Sequence, residues 1–361
     1  MKIAYYAPLK SPNHPVPSGD RLMARMLLQA LRLAGHDVAL VSELRSFSRT
    51  PEGHEGQRAE AERERARILA QWKSGGRPDL WLTYHVYYKA PDFLGPSLCA
   101  DAGIPYVTVE ASWSARRNRE GWEEAQAAVL HSVRAAAVNI CMTERDREGL
   151  IEAAPEARTA RLKPFLDAGE FLAIEPAPKP GRLVTVAMMR EGDKLASYRA
   201  LAGALRRMRE PFVLDVIGGG PCRAEVERLL DDAAPGRVML HGELSRDGVM
   251  ARLARGSVFV WPGIGEAYGM VYLEAAAVGL PCIAYRTGGV PEVVDDGVTG
   301  LLVPAGDEQA LAGAMDRLLA DADLRLRLAG GARTMVAGER RIEQAARQLD
   351  ALLKAAGGTG T

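Results

Sequence analysis

The stretch VFVWPGIGEAYGMVYLEAAAVGLPCIAYRTGGVPEVVDDGVTGLLVPAGD, residues 258–307, decides the fold. Its first residues, Val258–Trp261, form a short apolar run that stops at Pro262 and reads as a strand. The Gly-rich turn GIGEAYG follows, and a helix then runs from near Gly269 to Val278. Gly279 and Pro281 end it, since glycine suits the left-handed cap and proline cannot continue a helix. The strand–turn–helix order puts Glu266 on the loop at the strand's carboxyl end. It also exposes the backbone N–H groups of Gly269, Met270 and Val271 at a helix N-terminus. Unpaired donors with a partial positive charge suit a diphosphate. Glu274 lies about one turn into the helix, on the face of Met270, so two carboxylates address one ligand from loop and helix. A carboxylate accepts two hydrogen bonds and suits a vicinal diol, each bond contributing roughly 1.5–3 kcal/mol. An isolated pair of glutamates at this spacing is ordinary surface; the surrounding strand–turn–helix gives the pair its meaning.

Outward from this block, β-like runs alternate with helical stretches. Strands are expected at Lys2–Ala7, Asp37–Ser42, Leu80–Tyr84, Tyr106–Val109 and Val138–Met142, then at Leu183–Met188, Phe212–Ile217, Val238–Leu240 and Cys282–Tyr285. Between the first two, Leu22, Met23, Met26, Leu27, Ala30 and Leu31 recur at helical spacing, and Gly35 closes that helix. Such alternation points to parallel α/β sheets. Arg45–Gly76 is charge-rich and reads as a surface loop plus an exposed helix. PAPKPG, residues 176–181, resists helix and strand and is the linker candidate. Two domains are therefore expected, residues 1–174 and 175–341, with a last amphipathic helix at 342–356 joining the first. Domain pairs of this kind take ligands in the cleft between them, at strand carboxyl ends.

Composition sets the outer limits. The 361 residues suffice for about two domains. They carry 46 basic and 46 acidic side chains, and the neutral sum argues against a general polyanion or nucleic-acid binder. The 47% apolar and 25% charged fractions are those of a globular protein able to bury a core. Cys99, Cys141, Cys222 and Cys282 stand far apart, without metal spacing, which favours a reducing compartment. The start MKIAYYAPLKSPNHP lacks a signal-peptide core and no run reaches membrane-span length, so a cytoplasmic protein is expected.

The segment GEAYGMVYLEAAAVGLPCIAYRTGGVPEVVDDGVTGLLVP resembles the signature of the group-1 (family 4) retaining glycosyltransferases of GT-B fold. The resemblance implies two Rossmann-like doubly wound parallel-sheet domains facing a central cleft. It also implies that Glu266 stands by the donor sugar and Glu274 holds the nucleotide ribose. DVIGGGP, residues 215–221, resembles the strand and Gly-Pro turn under the nucleotide, bringing in Gly218. HGEL, residues 241–244, is similar to the segment whose backbone meets the base, bringing in Leu244. The family's diphosphate-holding Arg and Lys correspond to Arg190 and Lys194 in VAMMREGDK, more closely spaced here than usual. Their cationic donors would stabilise charge growing on a leaving diphosphate.

In the first domain, PSGDRL (residues 17–22) joins a strand to a helix, and Gly19 lets the backbone approach a phosphate or sugar. A compatible reading has Ser18 or Asp20 capping the helix. Relatives commonly carry a His after the strand that reads here as IPYVTVE; this chain has Glu110. Either Glu110 or His85, after the preceding strand PDLWLTYH, then becomes the polar contact to the reacting sugar. Trp113, Arg116 and Arg117 line an acceptor pocket or form a surface turn. Asp167 in FLDAGEF reads as structural.

Other chemistries lack their marks. Gly218-Gly219-Gly220-Pro221 is not a dinucleotide fingerprint, because proline stands where the phosphate-binding helix would start. Walker and nucleophile-elbow motifs are missing. Asp321-Ala322-Asp323 has the form of a metal-binding DxD but falls between two helical stretches, where turning and capping is its expected job. No metal and no resident cofactor is expected. Arg21, Arg25 and Arg32 form a solvated helix face or a weak peripheral membrane contact. The resulting expectation is a metal-independent, retaining glycosyltransferase that moves a hexose-type sugar from a nucleotide-diphosphate sugar (UDP- or GDP-) to a glycan, lipid or small-molecule acceptor. The alternatives are a sugar-nucleotide epimerase or hydrolase on the same fold, and a non-catalytic sugar-nucleotide-binding protein.

Overall fold

The computed structural model describes residues 1–119 and 121–358. It divides into two units, Met1–Lys163 with Ile342–Thr361, and Pro164–Arg341. The division thus falls ahead of the one expected near residue 175. Residues 164–174 belong to unit 2, where Leu166 N–H donates to Arg340 O at 2.8 Å and Arg333 Nη1 donates to Ile174 O at 3.1 Å. The Pro-rich stretch 176–181 is likewise tied into unit 2, through Ala177 N–H to Ala254 O and Lys179 N–H to Arg255 O. Prolines leave alternate N–H groups to pair, so the stretch docks as an irregular edge rather than acting as a linker.

In unit 1 the order is β1 (Lys2–Tyr6), α1 (Gly19–Leu33), β2 (Asp37–Leu40), α2 (Gly53–Gly75), β3 (Leu80–Tyr84), α3 (Gly95–Ala102), β4 (Tyr106–Val109), α4 (Glu123–Ala135), β5 (Val138–Cys141), α5 (Glu144–Ala153) and β6 (Thr159–Arg161). All neighbours in this sheet are parallel, in the order β2-β1-β3-β4-β5-β6. Central strands β3 and β4 are buried along their whole length, as expected where helices cover both faces. The charge-rich segment is a loop followed by a helix, as expected: residues 45–52 are irregular, and α2 then buries His54, Ala61 and Ile68.

Unit 2 contains α6 (Gly169–Ala173), β7 (Arg182–Val186), α7 (Asp193–Leu205), β8 (Val213–Ile217), α8 (Arg223–Ala233), β9 (Val238–Gly242), α9 (Arg246–Leu253), β10 (Val258–Val260), α10 (Met270–Ala277), β11 (Cys282–Tyr285), β12 (Gly300–Val303), α11 (Glu308–Ala320) and α12 (Ala322–Glu339). Its parallel sheet has the order β12-β11-β10-β7-β8-β9. Counted from β9, these are the unit's third, second, first, fourth, fifth and sixth strands, the Rossmann order. The chain then returns to unit 1 with α13 (Ile342–Gly357), which packs along α1.

Strand order matters because it reverses at one point in each sheet. In unit 2 that point lies between β7 and β10, and in unit 1 between β1 and β3. Loops leaving the two strands there run in opposite directions and open a crevice at the carboxyl ends, the preferred ligand position in open α/β sheets.

Candidate functional site

Each sheet brings charged residues to its reversal point. In unit 2, Lys194 follows β7 and Glu266 follows β10. Lys194 stands inside the first turn of α7, not ahead of it, and its Nζ pairs with Glu266 Oε1. The indole Nε1 of Trp261 donates to the same Glu266 oxygen at 3.0 Å, and the Lys194 ammonium lies 5.4 Å from the Trp261 ring centroid. The pair is 17% and 15% exposed, sheltered yet reachable.

Local sequence explains this arrangement. The turn after β10 is drawn onto α7: Ile264 N–H donates to Ser197 Oγ at 3.0 Å. Gly265 has φ 68°, and a Cβ there would come within 2.1 Å of Asp193 Oδ2. Gly269, φ 81°, lies against the Tyr272 ring, and Tyr272 Oη donates to Trp261 O at 2.9 Å. These glycines supply left-handed backbone and close approach together. As expected, Met270 opens α10 behind Gly269, and no side chain caps that N-terminus. Met270 is buried and Val271 half-buried beside it.

Glu274, a turn further on, is half-buried, and burial pushes its carboxyl up against the opposing pull of Arg246. Arg246 is anchored elsewhere, by Glu170 at 2.8 Å, the Asp167 carbonyl at 3.2 Å and the Phe171 ring. Gly218, φ 135°, lets β8 turn against β7, since a Cβ would stand 2.0 Å from Ala187 O. Leu244 is half-buried, just before Ser245, whose Oγ caps α9. Arg190 is exposed, with no side-chain partner among the described residues, so the structure does not draw it into the Lys194–Glu266 pair.

In unit 1, Asp20 follows β1, His85 follows β3 and Glu110 follows β4. His85 Nδ1 lies 3.2 Å from Asp20 Oδ1, across the reversal point. His85 and Glu110 have φ 61° and 59°, the positive values among described non-glycine residues. The main chain holds both: His85 N–H donates to Val109 O and Glu110 N–H to Ile140 O, each at 2.8 Å. Backbone strain at two neighbouring strand ends turns both side chains out of the strand alternation. Sequence reading posed His85 and Glu110 as alternatives; the sheet puts them side by side, with Asp20 added.

Electrostatics bind this group together. Burial works against the His85 charge, but Asp20, Glu110 and Asp146 outweigh it and push the imidazole up to about 9. Burial also pushes Glu110 up to about 7, with His85 opposing and Asp146 and Asp20 assisting. Burial would raise Asp20 too, yet His85 and then Lys10 hold it below the usual carboxylate range. Asp146 is itself buried, accepting from Thr143 Oγ1 at 2.5 Å and Ser112 Oγ at 2.9 Å. The sequence offers Asp20 only as a cap candidate and gives Asp146 no mark, because helix-start carboxylates usually cap or face solvent.

Other expectations resolve locally. Ser18 Oγ caps α1 by accepting from Arg21 N–H at 3.2 Å, while Gly19 is exposed with open space at its Cβ position. Arg21 Nη1 donates to His14 O at 2.8 Å and Arg25 Nε to Pro12 O at 2.7 Å, so these guanidiniums pin the preceding loop rather than forming an unengaged basic face. Half-buried Trp113 packs against the core cluster of Val86, Val129 and Leu150. Asp321 Oδ1 accepts from Leu324 N–H at 2.8 Å and caps α12. Among the described residues no metal-ligating cluster forms, and no helix is long and apolar enough to cross a membrane.

Comparison with known proteins follows the same lines. Residues 180–321 match the family model for glycosyl transferases group 1. The chain is 28% identical over 244 residues to alpha-D-kanosaminyltransferase of Streptomyces kanamyceticus, covering 63% of this chain and 62% of that one. It is similar in structure to sucrose-phosphate synthase from Thermosynechococcus elongatus (TM-score 0.78, 20% identity, 99% and 100% of the two chains). A second similar structure is Anabaena Alr3699/HepE in complex with UDP (TM-score 0.76, 16% identity, 98% and 100%). At such identities the structural likeness is one of fold. The curated relatives are matched over about a third to three fifths of their own length.

Proposed function

We propose that this chain, whose second unit carries a group 1 glycosyltransferase domain and whose fold is that of the GT-B glycosyltransferases, transfers a hexose-type sugar from a nucleotide-diphosphate sugar to an acceptor hydroxyl, with retention and without a metal. A UDP- or GDP-linked donor and a glycan, lipid or small-molecule acceptor fit this reading. The observation that carries it is the Lys194–Glu266 pair at the sheet reversal, beside the uncapped start of α10. The UDP complex of Anabaena Alr3699/HepE, a protein of similar fold, supports a nucleotide ligand here.

In this mechanism the diphosphate takes Lys194 and the N–H groups of Met270 and Val271 as partners. Glu266, released from the lysine, accepts from donor-sugar hydroxyls. Glu274 accepts from the ribose diol, whose two O–H donors replace the hydration that burial removes. The bond from the sugar C1 to the diphosphate oxygen breaks as the acceptor oxygen bonds C1 on the same face. The departing diphosphate oxygen takes the acceptor proton. Lys194 and the helix start stabilise the growing negative charge, and Arg190 reaches it from its exposed loop. On unit 1, His85 is a donor and Glu110 an acceptor for hydroxyls of the acceptor molecule, while Asp20 orients His85.

Calorimetry with UDP and GDP tests the donor site. Glu274→Ala is expected to weaken the preferred nucleotide about ten- to hundredfold, the worth of one charge-assisted bond. Unchanged affinity would sink the ribose role. Glu110, held near neutrality, also favours a second reading, hydrolysis by base-activated water. Rapid nucleotide release from a donor without acceptor would select that reading.

A further inference from the structure

We propose that unit 1 carries a subsite for an anionic group of the acceptor, a phosphate ester, built by Lys89 and Arg117, which gather at the Tyr88 ring. The inference rests on the transferase reading only for the word acceptor; the anion site itself stands on geometry.

Lys89 Nζ lies 5.7 Å from the Tyr88 ring centroid, and the Arg117 guanidinium carbon lies 5.4 Å from the same centroid. Among the described residues neither cation meets a carboxylate. Two like charges gathered on one ring repel, and each gains only a modest attraction from the ring. An anion bound between or beside them removes that repulsion and supplies the missing partner.

The backbone on either side of the ring is held in place. The Lys89 carbonyl accepts from Ser48 N–H at 2.8 Å and faces His54 Nε2 at 3.3 Å. Arg117 ends a short 3-10 turn, Ala115–Arg117, whose start is pinned by Gln126 Nε2 donating to Ser114 O at 2.7 Å. Trp122 meets Tyr88 edge-on at 4.9 Å and fixes the ring.

The position relates this subsite to the reacting group. Tyr87 lies 5.0 Å from the His85 ring, and Tyr88 lies 5.5 Å from Tyr87. The cations therefore stand two aromatic rings away from His85, on the loops that follow β3 and β4. The inner end is rich in carboxylates, with Asp20, Glu110 and Asp146 around one histidine, and repels an anion. The outer end attracts one. A ligand with hydroxyls at one end and a phosphate ester at the other is thus oriented hydroxyl-inward, with half-buried Tyr87 offering a ring face to the part between.

The test uses the full chain, with inorganic phosphate, glycerol 3-phosphate and glycerol as soluble probes. Vesicles of phosphatidylcholine with and without phosphatidylglycerol form the second arm. Calorimetry and vesicle sedimentation are run on the native chain, on exposed Arg117→Glu, and on Lys89→Gln with Lys89→Arg as the charge-restoring control. The expected result is binding of glycerol 3-phosphate but not glycerol, weakened tenfold or more in Arg117→Glu and Lys89→Gln and restored in Lys89→Arg. Binding confined to anionic vesicles, with the same response to the variants, supports the subsite with a lipid phosphate as its source. Equal binding of glycerol and its phosphate overturns the proposal, as does anion binding that ignores both substitutions or no binding of any probe. UDP and GDP affinities of the same variants are measured in parallel. Loss of nucleotide binding in the native chain speaks against the transferase reading alone, whereas loss of the charge-dependent phosphate signal speaks against the subsite alone.

Discussion

The reversal points of the two sheets solve the same problem with different materials. In unit 2 the tight backbone is made of glycine: Gly265 and Gly269 after β10, and Gly218 one strand further along after β8, take positive φ where a Cβ would collide. The charges there are a matched pair, Lys194 with Glu266. In unit 1 the positive φ falls on His85 and Glu110, the functional side chains themselves. The charges are unbalanced there, three carboxylates around one imidazole. The contrast teaches that unit 2 spends its glycines on shape and leaves chemistry to neighbouring residues. Unit 1 places strain and titration in the same two residues.

The largest expected effect comes from the matched pair. Lys194→Ala should lower turnover about 10²- to 10³-fold, as loss of one preorganised charge stabiliser does, measured as nucleotide release with acceptor present. A drop of less than tenfold would move diphosphate stabilisation away from Lys194 and break the comparison at its unit 2 end. Next comes the glycine scaffold. Gly218→Ala forces a Cβ toward Ala187 O and should destabilise the protein by about 1–3 kcal/mol in denaturant titration. An unchanged midpoint would mean the backbone turns freely there.

Unit 1 should instead show a pH signature. Glu110 is held at about 7 by burial, above its usual value of 4.5, so the folded state holds a proton that the unfolded chain releases. The stability this contributes is full below about 4.5 and is lost as pH rises through 7. His85, held at about 9 against burial by Asp20, Glu110 and Asp146, adds a contribution that is full below 6.5 and lost as pH rises through 9. Melting temperature should therefore fall from about pH 5 to 9. Glu110→Gln should flatten the part below pH 7, a change of order 1–3 kcal/mol. A parallel profile in the variant would remove the titration half of the contrast. The smallest effect concerns strain. Asparagine tolerates left-handed backbone better than glutamate, so Glu110→Asn should stabilise by about 0.5–1 kcal/mol while turnover falls. Destabilisation together with lost turnover would show the strained backbone to be well supported by the Glu110 side chain.

Legibility in the sequence follows the same division. The GIGEAYG turn announces itself, because glycines between a β run and a helix have few other uses. Glu266 and Glu274 could be named from the turn and the helix it opens, and Lys194 only through the resemblance of VAMMREGDK to a family element. Strand β6, three half-exposed residues, and helix α3, eight residues opened by Gly-Pro, have too few buried positions for periodicity to register. His85 and Glu110 were visible as polar residues ending apolar runs, but only as rivals. Nothing local separates a strained strand end from an ordinary loop. Asp20 reads locally as a helix-start residue.

By itself, then, the sequence determined the α/β alternation, the strand–turn–helix that carries Glu266 and Glu274, and the capping job of Asp321. These depend on residues close in the chain, where spacing and geometry are one. Only the tertiary structure decided that Asp20, His85 and Glu110 form one group, that Lys89 and Arg117 share a ring, and that the Pro-rich stretch belongs to unit 2. Parallel sheets are the physical reason: each strand's carboxyl end meets that of a neighbour many residues away, and strand order, not local pattern, chooses the neighbour.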